Sequence, residues 1–143
     1  MVIKMNNVLL EEAILKIGEV SGIEGRRIFV TLSKNKNTSD ILFNGDLLKN
    51  VSVGSYVEIK KGFIGIIGKV DGEKLSEDKM NRKDTSYEST DINKRILTMS
   101  LSGYIDTDGK FTNGIKELPL IGDEAFILTN DKLHRIHNLV KNL

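Results

Sequence analysis

The chain has 143 residues, with 21 Lys and Arg against 20 Asp and Glu and a formal net charge of +1. That length fits one domain with a core of its own, and the near-neutral balance gives no electrostatic reason to expect a strongly basic nucleic-acid surface. Cysteine is absent, which excludes a disulfide framework and a thiolate metal site and fits a reducing cytoplasm.

The opening residues MVIKMNNVLLEEAIL break up their apolar positions with Lys4, Asn6, Asn7, Glu11 and Glu12. This is not the uninterrupted apolar stretch of a signal peptide, and nothing in the chain approaches the roughly 20 apolar residues of a membrane span. No membrane association is expected. Residues 1–13 form a lead-in, readable as a helical turn or as the approach to a strand. Ile14 to Val20 reads as a strand, Ser21 to Gly25 as a hairpin connection, and Arg26 to Leu32 as the returning strand, with Ile28, Val30 and Leu32 on one face. Ser33 to Ser39 is polar and loop-like. Ile41 to Phe43 is a short strand that ends at Asn44-Gly45, a tight-turn signal, and Leu47, Leu48 and Val51 belong to a short packed connection.

Val53 to Ile59 is the next strand, with Val57 and Ile59 on one face and Tyr56 and Glu58 on the other. Lys60-Lys61-Gly62 then turns the chain into FIGIIGKV. Here Ile64, Ile66 and Val70 share one face and Phe63 and Ile67 the other, so the segment is apolar on both sides. An antiparallel strand with one wet face should not be. A cover is therefore expected over the second face: the termini, a helix or another subunit. Asp71 to Asp91 is the longest polar stretch, expected as a loop that is either mobile or an adaptable contact surface, with Leu75, Met80 and Tyr87 as its large apolar residues.

Arg95 to Leu128 organises the rest. Leu97, Met99 and Leu101 alternate with Thr98, Ser100 and Ser102 as in a half-buried strand. Asp106 to Gly109 is a turn. Asn113-Gly114 and Pro119, the single proline, bend the path before Ala125 to Leu128 resumes extended structure. Leu133, Ile136, Val140 and Leu143 then fall at helical spacing, with Asn130 or Asp131 as N-cap. Six or seven short strands and one terminal helix predict a mainly all-β chain, a small closed or partly open antiparallel β-barrel. The in-strand glycines supply its curvature.

The search for chemistry is mostly negative. Gly62, Gly65, Gly68 and Lys69 fail the phosphate-loop pattern in spacing, and Val70 stands where a magnesium-binding Ser or Thr would be. His134 and His137 lie three apart on the tail helix, with no third ligand at zinc-motif spacing. Asp106, Asp108, Asp71 and Glu73 read as turn carboxylates. Lys79, Arg82 and Lys83 are diluted by Glu77, Asp78 and Asp84, the mixed signs of a solvated loop. With no nucleophile and base combination, the chain as given is read as non-catalytic, with no cofactor or metal of its own.

Two stretches carry a family resemblance. The first comprises Ile17-Gly18-Glu19-Val20, the Arg26 to Leu32 strand and VGSYVEIKKGFIGIIGKVDG. The second is Arg95 to Leu128, above all Gly103, Phe111, Gly114-Ile115, Leu118-Pro119 and Gly122-Asp123-Glu124. Together they resemble the N-terminal barrel of the HerA family of hexameric DNA-translocating ATPases, termed the HAS barrel for its similarity to the barrel at the front of ATP synthase subunits. The resemblance implies a barrel over residues 14–128 that caps an ATPase ring, helps six subunits assemble and docks a partner. That partner would be a NurA-like nuclease or a sirtuin-like effector, in DNA end processing or antiphage defence. It also implies that residues 129–143 are a linker helix toward an ATPase core absent from this chain. ATP, magnesium and the DNA passing through the ring would belong to that longer protein, of which this chain would be a fragment.

The residues expected at a subunit or partner interface are Phe63, Ile67, Lys69, Met80, Arg82 and Tyr87. An alternative is a stand-alone oligonucleotide-binding barrel, for which Phe63 near Lys60, Lys61 and Lys69 is the one candidate platform.

Overall fold

A computed structural model describes residues 13–33, 40–43, 45–77 and 93–141. Among the described residues, helical residues 13–15 are followed by nine strands and a C-terminal helix. The strands are β1 (Lys16–Glu24), β2 (Arg27–Leu32), β3 (Ile41–Phe43), β4 (Asp46–Leu48), β5 (Tyr56–Lys61), β6 (Ile64–Glu77), β7 (Asn93–Ile105), β8 (Phe111–Asn113) and β9 (Glu124–Ile127). The C-terminal helix spans Asn130–Lys141. The main sheet runs β2-β1-β9-β5-β6-β7, and β2 pairs again with β7. Six antiparallel strands thus close into a barrel, with β8 as an extra strand on the far half of β7 and β3–β4 as a separate hairpin.

Closure follows from the period-2 patterns. Ile17, Val20, Ile28, Val30, Val57 and Ile59 point inward from β1, β2 and β5, and Ile66, Val70, Leu97, Met99 and Ala125 from the strands that complete the circle. The interior is therefore filled by side chains, as expected for a small barrel. Gly68 shows how tightly: a Cβ there would stand 2.2 Å from Met99 Cε.

The strands differ from the sequence reading in several places. Residues 14 and 15 are helical rather than strand, and β5 begins at Tyr56 rather than Val53 and runs on through Lys60 and Lys61. β1 does not stop at Val20 but runs through Ser21 to Glu24, its register shifting between Val20 and Gly22. A bulge of this kind bends a strand without ending it, so the turn falls at Gly25, with φ at +62°. Leu47 and Leu48 are not a packed connection; they belong to β4, paired with β3. Phe111 to Asn113 pairs with Gly103 to Ile105 as β8. The polar residues 71–77 are strand: after another shift between Val70 and Gly72, β6 pairs with β7 as far as Glu77 opposite Asn93. Arg95 holds this extension by donating from Nε and Nη2 to the two carboxylate oxygens of Glu73, both at 2.8 Å, and to the Val51 carbonyl.

The C-terminal helix answers the question of the doubly apolar strand. Ile67 on the outer face of β6 is fully buried beneath it, in a second core with Ile105, Phe111, Leu128 and Ile136. The helix is capped by Thr129 rather than by Asn130 or Asp131, since the Lys132 amide donates to Thr129 Oγ1.

Candidate docking surface

The six residues expected at an interface do not form one patch. Met80, Arg82 and Tyr87 lie outside the described residues. Ile67 has no exposed surface, and its cover is intramolecular, so as a contact residue it is corrected to core. Phe63 sits in the β5–β6 turn and is 90% exposed. Lys69 is also exposed, but it stands six residues further along the hairpin, roughly 20 Å at strand rise, where its ammonium lies over the Tyr56 ring.

The cations proposed as Phe63's neighbours are occupied by other groups. Lys61 Nζ donates to the Leu118 carbonyl at 2.7 Å and lies 3.8 Å from Glu117. Lys60 Nζ lies over the Phe126 ring. The cleft behind Phe63 also contains Lys132 and Arg135. Lys132 Nζ donates to Glu58 Oε1 at 2.8 Å, and Arg135 donates to the Gly109 carbonyl and to Asp131. These bonds clamp the helix to β5 and to the β7–β8 turn. The clamp explains Gly65: a Cβ at that position would stand 2.1 Å from Glu58 Oε2. Glu58, on the strand face opposite Val57 and Ile59, is buried because Lys132 supplies the countercharge.

Among the described residues, a different segment gathers several exposed aliphatic side chains in one loop. Between β8 and β9 the chain exposes Ile115 (39%), Leu118 (44%), Leu120 (60%) and Ile121 (68%) within seven residues. Isolated exposed aliphatics are ordinary; four in one loop are a candidate interaction site. The loop is also tied down. Pro119 is buried, and Lys61 holds the Leu118 carbonyl. The Leu120 amide donates to Asp123 Oδ2 at 2.7 Å. Gly122, with φ at +98°, donates to the Val20 carbonyl, while the Val20 amide donates to that of Asp123. Leu120 and Ile121 are thus presented to water by a braced backbone.

A second apolar feature is a cavity of about 400 Å³ between the β3–β4 hairpin and the C-terminal helix. Leu47, Leu48, Val51, Tyr56, Leu133 and His137 are among its lining residues. His137 meets Tyr56 edge to face at 5.9 Å, so it has an aromatic contact that its spacing from His134 did not suggest. Among the described residues, no group of three or more His, Cys, Asp or Glu is placed to hold a metal ion. Nor is any described helix long and apolar enough to cross a membrane.

The sequence reading quoted Leu118-Pro119 and Gly122-Asp123-Glu124 without seeing that they build an exposed surface. The signal available was the apolar run Leu118 to Ile121, which carries no period-2 polar alternation although it lies between two strands. Compared with known proteins, the chain matches no family model and no curated protein.

Proposed function

We propose that this chain is the assembly and partner-docking barrel of a HerA-like ATP-dependent DNA translocase. In this reading the parent ring works with a nuclease or sirtuin-like effector, in DNA end processing or antiphage defence. The observation that carries the docking role is the braced loop 114–123, which presents Leu118, Leu120 and Ile121 to solvent. A loop already fixed in its bound shape loses little conformational entropy when a partner covers it. The closed six-stranded barrel is the architecture the resemblance calls for, and residues quoted for that resemblance, from Gly114 to Glu124, are those that build the loop. The chain contributes no chemistry here: ATP and magnesium would bind in a core encoded after Leu143.

The coding sequence beyond Leu143 tests this. A reading frame continuing into a GxxxxGK(S/T) loop, whose product forms a ring and hydrolyses ATP in response to DNA, supports the proposal. A stop codon, or an unrelated domain, refutes it.

A further inference from the structure

Asn113 ends β8, the edge strand of the main sheet, which has β7 on one side only. It stands opposite Gly103 in the terminal pair of the β7–β8 ladder. Asn113 and Gly114 are both exposed. Among the described residues, no hydrogen bond holds the Asn113 carboxamide. Just beyond the pair, the Gly114 amide donates to the Ser102 carbonyl at 3.1 Å, and this bond ties down the entry to the 114–123 loop. Gly114 has φ at +104° and open space where a side chain would stand.

We infer that Asn113 is a site of spontaneous deamidation in the folded chain, converting to aspartate and isoaspartate at the root of the exposed loop. The Gly114 nitrogen gives up its proton and attacks Asn113 Cγ. The new N–C bond closes a five-membered succinimide while the Cγ–Nδ2 bond breaks, and ammonia leaves with the proton. Water then opens the ring. Cleavage at Cγ leaves aspartate; cleavage at the main-chain carbonyl carbon of Asn113 leaves isoaspartate, whose backbone runs through Cβ and Cγ. In sum, a carboxamide and water become a carboxylate and ammonium, and nothing is oxidised or reduced.

Three features place the reaction here. A following glycine has no side chain to crowd the approach to Cγ. The carboxamide is free to turn over the Gly114 nitrogen. The nitrogen is released by breaking one bond at the end of an edge strand, and fraying ends open at a cost near zero, far below that of global unfolding. Asn50 is the contrast: its Oδ1 accepts from the Val51 amide, and Val51 is β-branched. The product carries a new negative charge beside Gly114, and isoaspartate also lengthens the chain where the Gly114–Ser102 bond anchors the loop. The consequence for docking rests on the translocase reading; the modification itself does not.

Tryptic peptide mapping by mass spectrometry provides the test, because the peptide Phe111–Lys116 carries Asn113 and no other asparagine. The 143-residue chain is incubated at mildly alkaline pH, folded and in guanidinium chloride. Asn113 in the folded chain should convert within about a hundredfold of its rate in denaturant, as local fraying allows. The rate should rise with pH, since the attacking nitrogen must lose its proton, and the aspartate and isoaspartate forms of the peptide should both appear. Asn113→Gln, an exposed and conservative change, should remove the conversion, because the longer side chain must close a slower six-membered ring. Folded-state conversion slowed by the roughly 10³-fold or more of global unfolding, a rate indifferent to pH, or undiminished conversion in Asn113→Gln would each overturn the inference. An intact Asn113 leaves the translocase reading untouched, and a stop codon after Leu143 leaves the deamidation untouched.

Discussion

Replacing Ile67 and Phe63 separately by alanine distinguishes a core residue from a surface one within the same glycine-rich segment. Ile67 is fully buried against Ile105, Phe111, Leu128 and Ile136. Truncating it removes the buried hydrocarbon and leaves a void under a helix that is pinned by Lys132 and Arg135 and so cannot fully settle. Substitutions of this kind cost about 2–5 kcal/mol. Against a total stability of roughly 7–20 kcal/mol for a chain of this length, Ile67→Ala stays folded but melts lower. Taking about 3 kcal/mol at roughly 2–4 °C per kcal/mol gives a fall of about 6–12 °C. Phe63 is 90% exposed in a turn, so Phe63→Ala falls within the ±0.5 kcal/mol or so of ordinary surface changes. Differential scanning calorimetry and urea unfolding read both. An Ile67→Ala protein with unchanged melting, or a Phe63→Ala protein destabilised as much as Ile67→Ala, would refute the placement of the helix over β6.

Other consequences concern the clamp, the β6–β7 extension and nucleic acid. Lys132→Met leaves the Glu58 carboxylate in its buried site without the ammonium at 2.8 Å. Breaking a fully buried pair costs about 3–5 kcal/mol, and since a third of Lys132 is in water the expected loss is about 1–3 kcal/mol by urea titration. Gly65→Ala pushes on the same carboxylate, so its destabilisation should shrink in a Glu58→Ala background, read as a coupling energy in a double-mutant cycle. Arg95, through its hydrogen bonds and charge, holds the Glu73 carboxyl below its ordinary 4.5. That contribution is present above the unfolded value and is lost as pH falls through the lower folded one. Glu73→Gln should therefore flatten the fall in melting temperature on the acid side. Single-stranded DNA titrated at low salt should show no saturable binding to the isolated chain, because Lys61 is turned to Leu118 and Glu117 and Lys69 lies at the far end of the hairpin from Phe63.

The barrel was legible because its inward positions obey a two-residue period: Ile28, Val30 and Leu32 in β2, and Leu97 and Met99 in β7, are all buried. The requirement for a cover over Ile67 was legible too, from a strand apolar on both faces. What stayed hidden depended on distant partners. The burial of Glu58 depends on Lys132, 74 positions later, being brought against it. Residues 71–77 contain no apolar alternation because no core lies behind either face; their strand character comes from pairing with β7 and from Arg95. The exposure of Leu118 to Ile121 could not be read, since an apolar run beside a proline is equally compatible with a core segment. It is decided by the bonds that tie this loop to Val20 and Lys61, on strands far away in sequence.

Hydroxyl-radical footprinting addresses the central claim most directly, because it reports the solvent exposure of individual side chains. Leu118, Leu120 and Ile121 should label strongly in the dilute isolated chain and, on the translocase reading proposed above, become protected in the assembled parent particle, while Phe63 serves as an exposed reference in the dilute chain. Labelling of Leu120 and Ile121 that is equally strong in the assembled particle would contradict the assignment of this loop as the surface that assembly covers.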